Sequence, residues 1–316
     1  MMARPVLIDT DTGVDDALAL ILALRSRELS VKAITTVAGN VEVGKCTRNA
    51  LAILHLLGVA DKPAVSEGAQ KPLCRPLFRA PEVHGTDGLG NARRYILASS
   101  TPRMCEQSAA KTIVDHCRSF GNKLVIVALG PLTNLALAWK KNPEAMMKVG
   151  RIISMGGAFR VPGNTGPVAE FNYYVDPEAA HLLLNSGLRI TIVPLDVTEQ
   201  IVLMRKELEY RAARRAGRVA KAILRFTKSY MKYHEMTEGF NGGYLHDPLA
   251  VAVAIQPDLV QTTRVHVDIE TLGRYTRGMS LADFKNKLKR GKPTVEVASK
   301  VDRERFLRLF HERIWE

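Results

Sequence analysis

The stretch Asp9-Thr10-Asp11-Thr12-Gly13-Val14-Asp15-Asp16 carries four carboxylates in eight residues. The apolar run Val6-Leu7-Ile8 precedes it, and the run Ala17-Leu18-Ala19-Leu20-Ile21-Leu22 follows it. The acids therefore lie on a strand-to-helix turn. Carboxylates this close repel one another strongly. Proton sharing or a bound cation relieves that repulsion, and oxygen-only ligands suit a hard divalent ion, above all Ca²⁺ or Mg²⁺. Gly13 lies between Asp11 and Asp16, and glycine permits backbone geometry that other residues resist, which lets the chain fold its acids around an ion. Asp15 and Asp16 also stand near a helix N-terminus, where backbone N–H groups hold negative charge. Capping accounts for some of these acids, not for all.

Outward from this turn, short apolar runs alternate with helix-period segments through most of the chain. That alternation predicts an α/β fold with an open, mostly parallel central sheet flanked by helices. Strands are expected at residues 6–8, 31–37, 124–128, 151–155 and 189–194. They are continuous apolar runs, as strands buried on both faces are. Helices are expected at 15–25, 44–57, 106–119, 132–140 and 177–186, the last with Asp176 at the N-cap, Pro177 at N1 and Gly187 beyond its end. Residues 205–235 read as a basic helical excursion, 263–270 and 294–301 as strands, and 302–314 as a final helix. Two stretches rich in Gly and Pro, 71–91 and 158–167, break the alternation, and long loops in a compact α/β domain are commonly functional. No repeat, linker or low-complexity tract divides the chain. A single domain over residues 1–316, with insertions near 71–91 and 205–245, is expected.

The 316 residues, 46% of them hydrophobic, suffice for a large core. The net charge is +13, with lysines and arginines scattered apart from clusters at 211–218 and 285–292. No nucleic-acid module is readable and aromatics are few, so the basic balance reads as a solvated surface that helps attract anions, not as a nucleic-acid footprint. Cys46, Cys74, Cys105 and Cys117 form neither a Cys-x-x-Cys pair nor a zinc spacing. They read as reduced thiols. The N-terminal residues lack a signal-peptide core, and no apolar run is long enough to span a membrane. A cytoplasmic protein is expected.

Open parallel sheets place ligands outside the carboxyl ends of their strands. Leu129-Gly130-Pro131-Leu132-Thr133-Asn134 and Met155-Gly156-Gly157 each follow an expected strand, so they converge with the acidic turn on one edge. His246-Asp247-Pro248 has two readings: Asp247 is the N-cap of a helix with Pro248 at N1, or it is a further acid completing a cation site. His246 beside it could donate a proton near neutral pH. Asn164, Glu170 and Asn172 suit hydrogen bonding to a polyhydroxylated ligand, although Asn and Gly also populate loops for conformational reasons.

Taken together and in order, these motifs resemble the inosine–uridine-preferring nucleoside hydrolases, which are Ca²⁺-dependent N-ribohydrolases. The residues that carry the resemblance are Asp9 to Asp16, Asn40 after Thr35-Thr-Val-Ala-Gly39, Gly130-Pro-Leu-Thr-Asn134 and Met155-Gly-Gly157, followed by Gly163-Asn164, Ala169-Glu-Phe-Asn172, Asp176-Pro-Glu-Ala-Ala180 and His246-Asp-Pro248. The resemblance runs from about residue 4 to 300 and implies the Rossmann-like nucleoside hydrolase fold.

It also implies a site. Asp11, Asp16 and Asp247 would bind one Ca²⁺ per subunit, with the backbone carbonyl of Leu129 as a further ligand. A Ca²⁺-bound water would lose its proton to Asp11 as general base and attack the anomeric carbon. Asp15 would hold the ribose 2′-hydroxyl, Asn172 with Asp247 the 3′-hydroxyl, and Asn164 with Glu170 the 5′-hydroxyl. Asn40 would orient the acidic cluster, Met155 would lie against the sugar and Phe171 near the base. His246 would be the general acid for the leaving base. The loop bearing His84 and the segment 225–244 would close over the base. Tyr230, Tyr233 and His234 in that segment could stack on or hydrogen-bond to the base, or Tyr230 and Tyr233 simply pack at helical spacing. The implied partner is a small-molecule nucleoside, with neither nucleic acid nor membrane, and a homodimer or homotetramer is expected.

Two other readings share these residues. In a haloacid-dehalogenase-like Mg²⁺ phosphatase, Asp9 would be the nucleophile and Asp11 the acid/base. In a noncatalytic sugar or nucleoside binder, the polar residues would hold ribose without turnover.

Overall fold

The computed structural model describes residues 3–59, 63–96, 104–215, 217–289, 293 and 295–315. In chain order the strands are β1 (Arg4–Thr10), β2 (Leu29–Thr36), β3 (Ala64–Glu67), β4 (Val125–Ala128), β5 (Arg151–Met155), β6 (Ile190–Val193), β7 (Val202–Met204), β8 (Gly242–Tyr244), β9 (Val260–Val265), β10 (Val267–Ile269), β11 (Ser280–Ala282) and β12 (Val295–Val301). Eight of them form one sheet in the order β3-β2-β1-β4-β5-β6-β12-β9, while β7 pairs with β8 and β10 with β11. Every neighbour pair in the large sheet is parallel except β12 with β9. The expected mostly parallel α/β sheet is what forms.

Both faces of the sheet are covered. On β1, Val6 and Ile8 point into one apolar cluster and Leu7 into the other; on β4, Val125 and Val127 face one and Ile126 and Ala128 the other. This period-two division explains why the strand sequences are apolar throughout. The helix Val14–Arg25 is buried from Val14 to Ala23 and packs against the helices His246–Ile255 and Arg303–Ile314. The helix His246–Ile255 is itself buried from Asp247 to Ile255. An all-round apolar helix belongs in the core, and here it is held there by neighbours on every side.

The strand order decides where a ligand can enter. The chain moves outward from β1 through β2 to β3, then returns to place β4 on the other side of β1. Helices leave β1 and β4 in opposite directions, and the carboxyl ends of these two strands border a crevice. Asp11 follows β1 and Leu129 follows β4.

Some sequence expectations shift. Strand β3 has no signature in the sequence, because Ala64-Val65-Ser66-Glu67 is too short and polar to show a pattern. The stretch expected as one strand at 263–270 is divided between β9 and β10, which belong to different sheets. The helix expected at 177–186 stops at Leu184, and Gly187 adopts φ +84° three residues later. The basic excursion contains the helices Arg205–Arg214 and Arg218–Glu238. Thr294, expected to start the last strand, lies outside the described residues. None of the described helices is long and apolar enough to cross a membrane.

Candidate active site

The acidic turn is held by a dense set of local donors. Asp16 accepts from the Gly13 N–H at 2.8 Å, the Asn40 amide at 3.2 Å and the Thr10 hydroxyl. Asp11 Oδ2 accepts from the Asn40 backbone N–H at 2.7 Å, while Asp11 Oδ1 is buried without a partner among the described residues. Asn40 thus grips two of the acids at once. A Cβ on Gly39 would stand 2.2 Å from Asp11 Oδ2, and a Cβ on Gly13 would stand 2.6 Å from both the Asn40 amide nitrogen and His84 Nδ1. Gly13 has φ −89° and ψ −160°, extended backbone that any residue adopts. The turn needs its missing side chain, not the backbone freedom expected from sequence.

The helices Val14–Arg25 and His246–Ile255 begin side by side, which brings Asp247 to the turn. One carboxylate oxygen from each of Asp15, Asp16 and Asp247 lies within 4.8 Å of the others. This trio contains Asp15, and Asp11 stands beside it on the same cavity. Asp247 is also not the helix N-cap. The helix starts at His246 with Leu245 in the cap position, so Asp247 lies in the first turn and its carboxylate serves its neighbours instead.

Burial raises the carboxyls of Asp11, Asp15, Asp16 and Asp247, Asp15 to about 8. The charge of Asp16 raises Asp11 and Asp15 further, and the charges of Asp15 and Asp16 raise Asp247. A cavity of about 280 Å³ opens over these acids. Among the described residues, no lysine or arginine lines it. Four mutually repelling carboxylates with no resident counter-charge, one of them with an orphaned buried oxygen, fit a hard cation. Asp9 is fully buried beneath this floor and held by Asn134 and Thr35. It does not line the cavity, so it is badly placed for the nucleophile of the phosphatase reading.

One wall is polar and fixed. Glu170 caps the helix Phe171–Val175, and its carboxylate accepts from the N–H groups of Asn172 at 2.8 Å, Tyr173 at 3.1 Å and Gly157 at 3.0 Å. The Asn172 amide donates to the Leu129 carbonyl at 2.7 Å and the Met155 carbonyl at 3.2 Å. Asn164 Oδ1 accepts from the Phe171 N–H at 2.9 Å. These bonds orient the side chains before any ligand arrives.

The opposite wall is aromatic. His84 Nδ1 accepts from the Val14 N–H at 3.1 Å, and its ring stacks on Tyr230 with centroids 5.7 Å apart. The Tyr230 hydroxyl donates to the Tyr244 carbonyl at 3.0 Å. His234 sits between Tyr230 and Tyr244, 4.6 and 5.2 Å from their ring centroids. His246 Nδ1 lies 2.7 Å from the Thr198 hydroxyl. Burial lowers both His84 and His246 to about 3, so each ring rests in its neutral form at neutral pH.

Asp11, Asp15, Asn40, His84, Leu129, Met155, Asn164, Glu170, Phe171, Asn172, Tyr233, His246 and Asp247 all line this one cavity, and Asp16 lies in the acid trio at its floor. Tyr230 and His234, from the same helix as Tyr233, line the cavity as well. Tyr230, Tyr233, His234 and Thr237 fall on one face of the helix Arg218–Glu238. Glu238 and Tyr244, from the segment 225–244 expected to close over the base, also line it, as does Glu199, which no sequence motif singles out. Glu199 follows a single-turn helix after β6 and leaves no periodic trace.

Residues 6–308 match the family described as inosine-uridine preferring nucleoside hydrolase. The chain belongs to this nucleoside hydrolase family. It is similar to the pyrimidine-specific ribonucleoside hydrolase RihA of Enterobacter sp. (strain 638), 40% identical over 99% of this chain and 98% of that protein. The RihA of Citrobacter koseri is 41% identical over 99% of this chain and 98% of its own length. Among solved structures, a plant nucleoside hydrolase superposes with a TM-score of 0.92 at 38% identity, covering 99% of each chain. A purine-preferring ribonucleoside hydrolase from Gardnerella vaginalis superposes with a TM-score of 0.91 at 37% identity, covering 98% of each.

The polar wall of this nucleoside hydrolase makes one stability prediction. Burial raises Glu170 from 4.5 to about 7, against the opposing pull of its three N–H donors. A raised folded-state value favours the native protein below the unfolded value, and that advantage fades as pH climbs through the folded one. The loss spans about pH 4.5 to 7 and is on the order of 3 kcal/mol. With saturating Ca²⁺ present, Glu170→Gln is expected to flatten the dependence of unfolding free energy on pH in that window. Parallel curves for variant and parent in denaturant titrations would contradict it.

Proposed function

We propose that the chain hydrolyses the N-glycosidic bond of ribonucleosides to free base and ribose at this cavity, with Ca²⁺ held on the acidic floor. The observation that carries the reading is the meeting of four buried carboxylates, Asp11, Asp15, Asp16 and Asp247, under a cavity that no lysine or arginine lines among the described residues. Asp11, Asp16 and Asp247, with the Leu129 carbonyl, would hold the ion, and Asp15, which stands within 4.8 Å of Asp16 and Asp247, would turn to the sugar beside it. When bound, such a cation makes water more acidic and orients a vicinal diol.

The remaining work falls to the chain. Asp11 takes the proton of the attacking water; its unpartnered Oδ1 is the oxygen free to do so. Asp15 and Asp247 accept from the 2′- and 3′-hydroxyls of ribose, and Asn172, anchored on the carbonyls of Leu129 and Met155, shares the 3′-hydroxyl. Asn164 and Glu170 meet the 5′-hydroxyl, and Met155 lies against the sugar. The carboxylates stabilise the positive charge that develops on the ring as the bond to the base breaks. His246 assists the departing base. Its neutral ring suits a hydrogen-bond donor to that base, a narrower role than a resident imidazolium.

The named relatives of nearly equal identity differ in base class, so the proposal is drawn at ribose, where the fixed polar side chains converge. The test is a panel of inosine, adenosine, uridine and cytidine with free ribose as readout. Ribose release from at least one of them is expected. A nucleoside that binds and is returned intact in every case would favour the noncatalytic binder.

A further inference from the structure

Thr198 is a fully buried residue that no sequence motif singled out. It ends the single-turn helix Leu195–Thr198, which follows the carboxyl end of β6. Its hydroxyl stands 2.7 Å from His246 Nδ1 and makes no other hydrogen bond among the described residues, while its backbone N–H is spent on the Pro194 carbonyl. His246 lines the cavity, and its other ring nitrogen, Nε2, has no hydrogen bond within the described chain. A hydroxyl can donate or accept, so the partner of Nδ1 decides which ring nitrogen carries the hydrogen of a neutral imidazole. The Thr198 hydroxyl has no other acceptor for its proton here.

We propose that Thr198 is a positioning residue: its hydroxyl donates to Nδ1 of His246, which fixes the ring and leaves the hydrogen on Nε2, facing the departing base. This rests on the reading of His246 as the group that assists the leaving base. No bond is made or broken in the step; Nε2–H donates a hydrogen bond to the base nitrogen as negative charge gathers there. Without the hydroxyl, the ring can turn or hold its hydrogen on Nδ1, and the donor is absent when the bond breaks.

The test compares Thr198→Val, which keeps the side-chain shape, with Thr198→Ser, which keeps the hydroxyl. Two substrates separate local positioning from general damage: the best nucleoside of the panel, and para-nitrophenyl riboside, whose leaving group departs as a stable anion needing no donor. Thr198→Val is expected to lower kcat on the nucleoside about tenfold with KM little changed, and to leave the aryl riboside near the parent rate. Thr198→Ser is expected to stay near the parent on both. Equal losses on the two substrates, or no loss on either, would overturn the proposal. Thr198→Ala gives the same comparison if the valine is not tolerated in the fold. His246→Ala is run alongside: an unchanged nucleoside rate there would defeat the reading of His246 itself, whereas a loss there with none in Thr198→Val would defeat only the role of Thr198.

Discussion

Asp11→Asn is expected to lower kcat for nucleoside hydrolysis by about 10²–10⁴-fold at saturating Ca²⁺. Asparagine keeps the size of the side chain, and its carbonyl can still accept from the Asn40 N–H that holds Asp11 Oδ2 at 2.7 Å. What it loses is basicity at the buried oxygen that has no partner among the described residues, together with one charge offered to the cation, which saturating Ca²⁺ offsets. The fold should not suffer. Burial and the charge of Asp16 already push the Asp11 carboxyl upward, so a neutral amide relieves repulsion in the cation-free protein. The melting temperature of the chelated variant is expected to match or exceed that of the parent. A variant that turns over at the parent rate would remove Asp11 from the role of base; one that is inactive because it melts early would place its importance in folding instead.

His246→Ala is expected to cost about 10²–10³-fold in kcat on nucleosides, the usual size of losing one well-placed donor to developing negative charge. The loss should depend on the leaving group. Para-nitrophenyl riboside should keep most of its rate, since its leaving group is stable as an anion. Rates that fall together on both substrates would show that His246 supports the site rather than the departing base. The ring packs 5.2 Å from Tyr244 and hydrogen-bonds Thr198 at 2.7 Å, so melting curves should accompany the kinetics.

The chemistry at the carboxyl ends of the strands was legible because it is written in local runs. Apolar strands buried on both faces, followed by acids and glycines, announce both a parallel sheet and the edge where ligands collect. Asp9 to Asp16, Leu129 and Met155 could be placed that way. Asp247 could be suspected but not placed, since its approach to Asp15 and Asp16 depends on two core helices packing side by side. The same limit hid Thr198 and Glu199, whose short helix has no periodicity to read. The aromatic wall was half legible: Tyr230, Tyr233 and His234 sit at helical spacing, and such spacing is equally that of a core face. The role of Gly13 was misread for a related reason. Sequence shows that a side chain is missing, but only the positions of Asn40 and His84 show what needed the room.

The account depends on the buried acids at the β1–β4 crevice acting together on one hard cation. The most direct measurement is ribose release by chelated protein as Ca²⁺ is returned, with bound calcium counted in the same samples. The predicted result is no release without the cation, recovery that saturates at one Ca²⁺ per chain, and loss of both binding and recovery in Asp247→Asn. Full ribose release from protein stripped of divalent ions would contradict it.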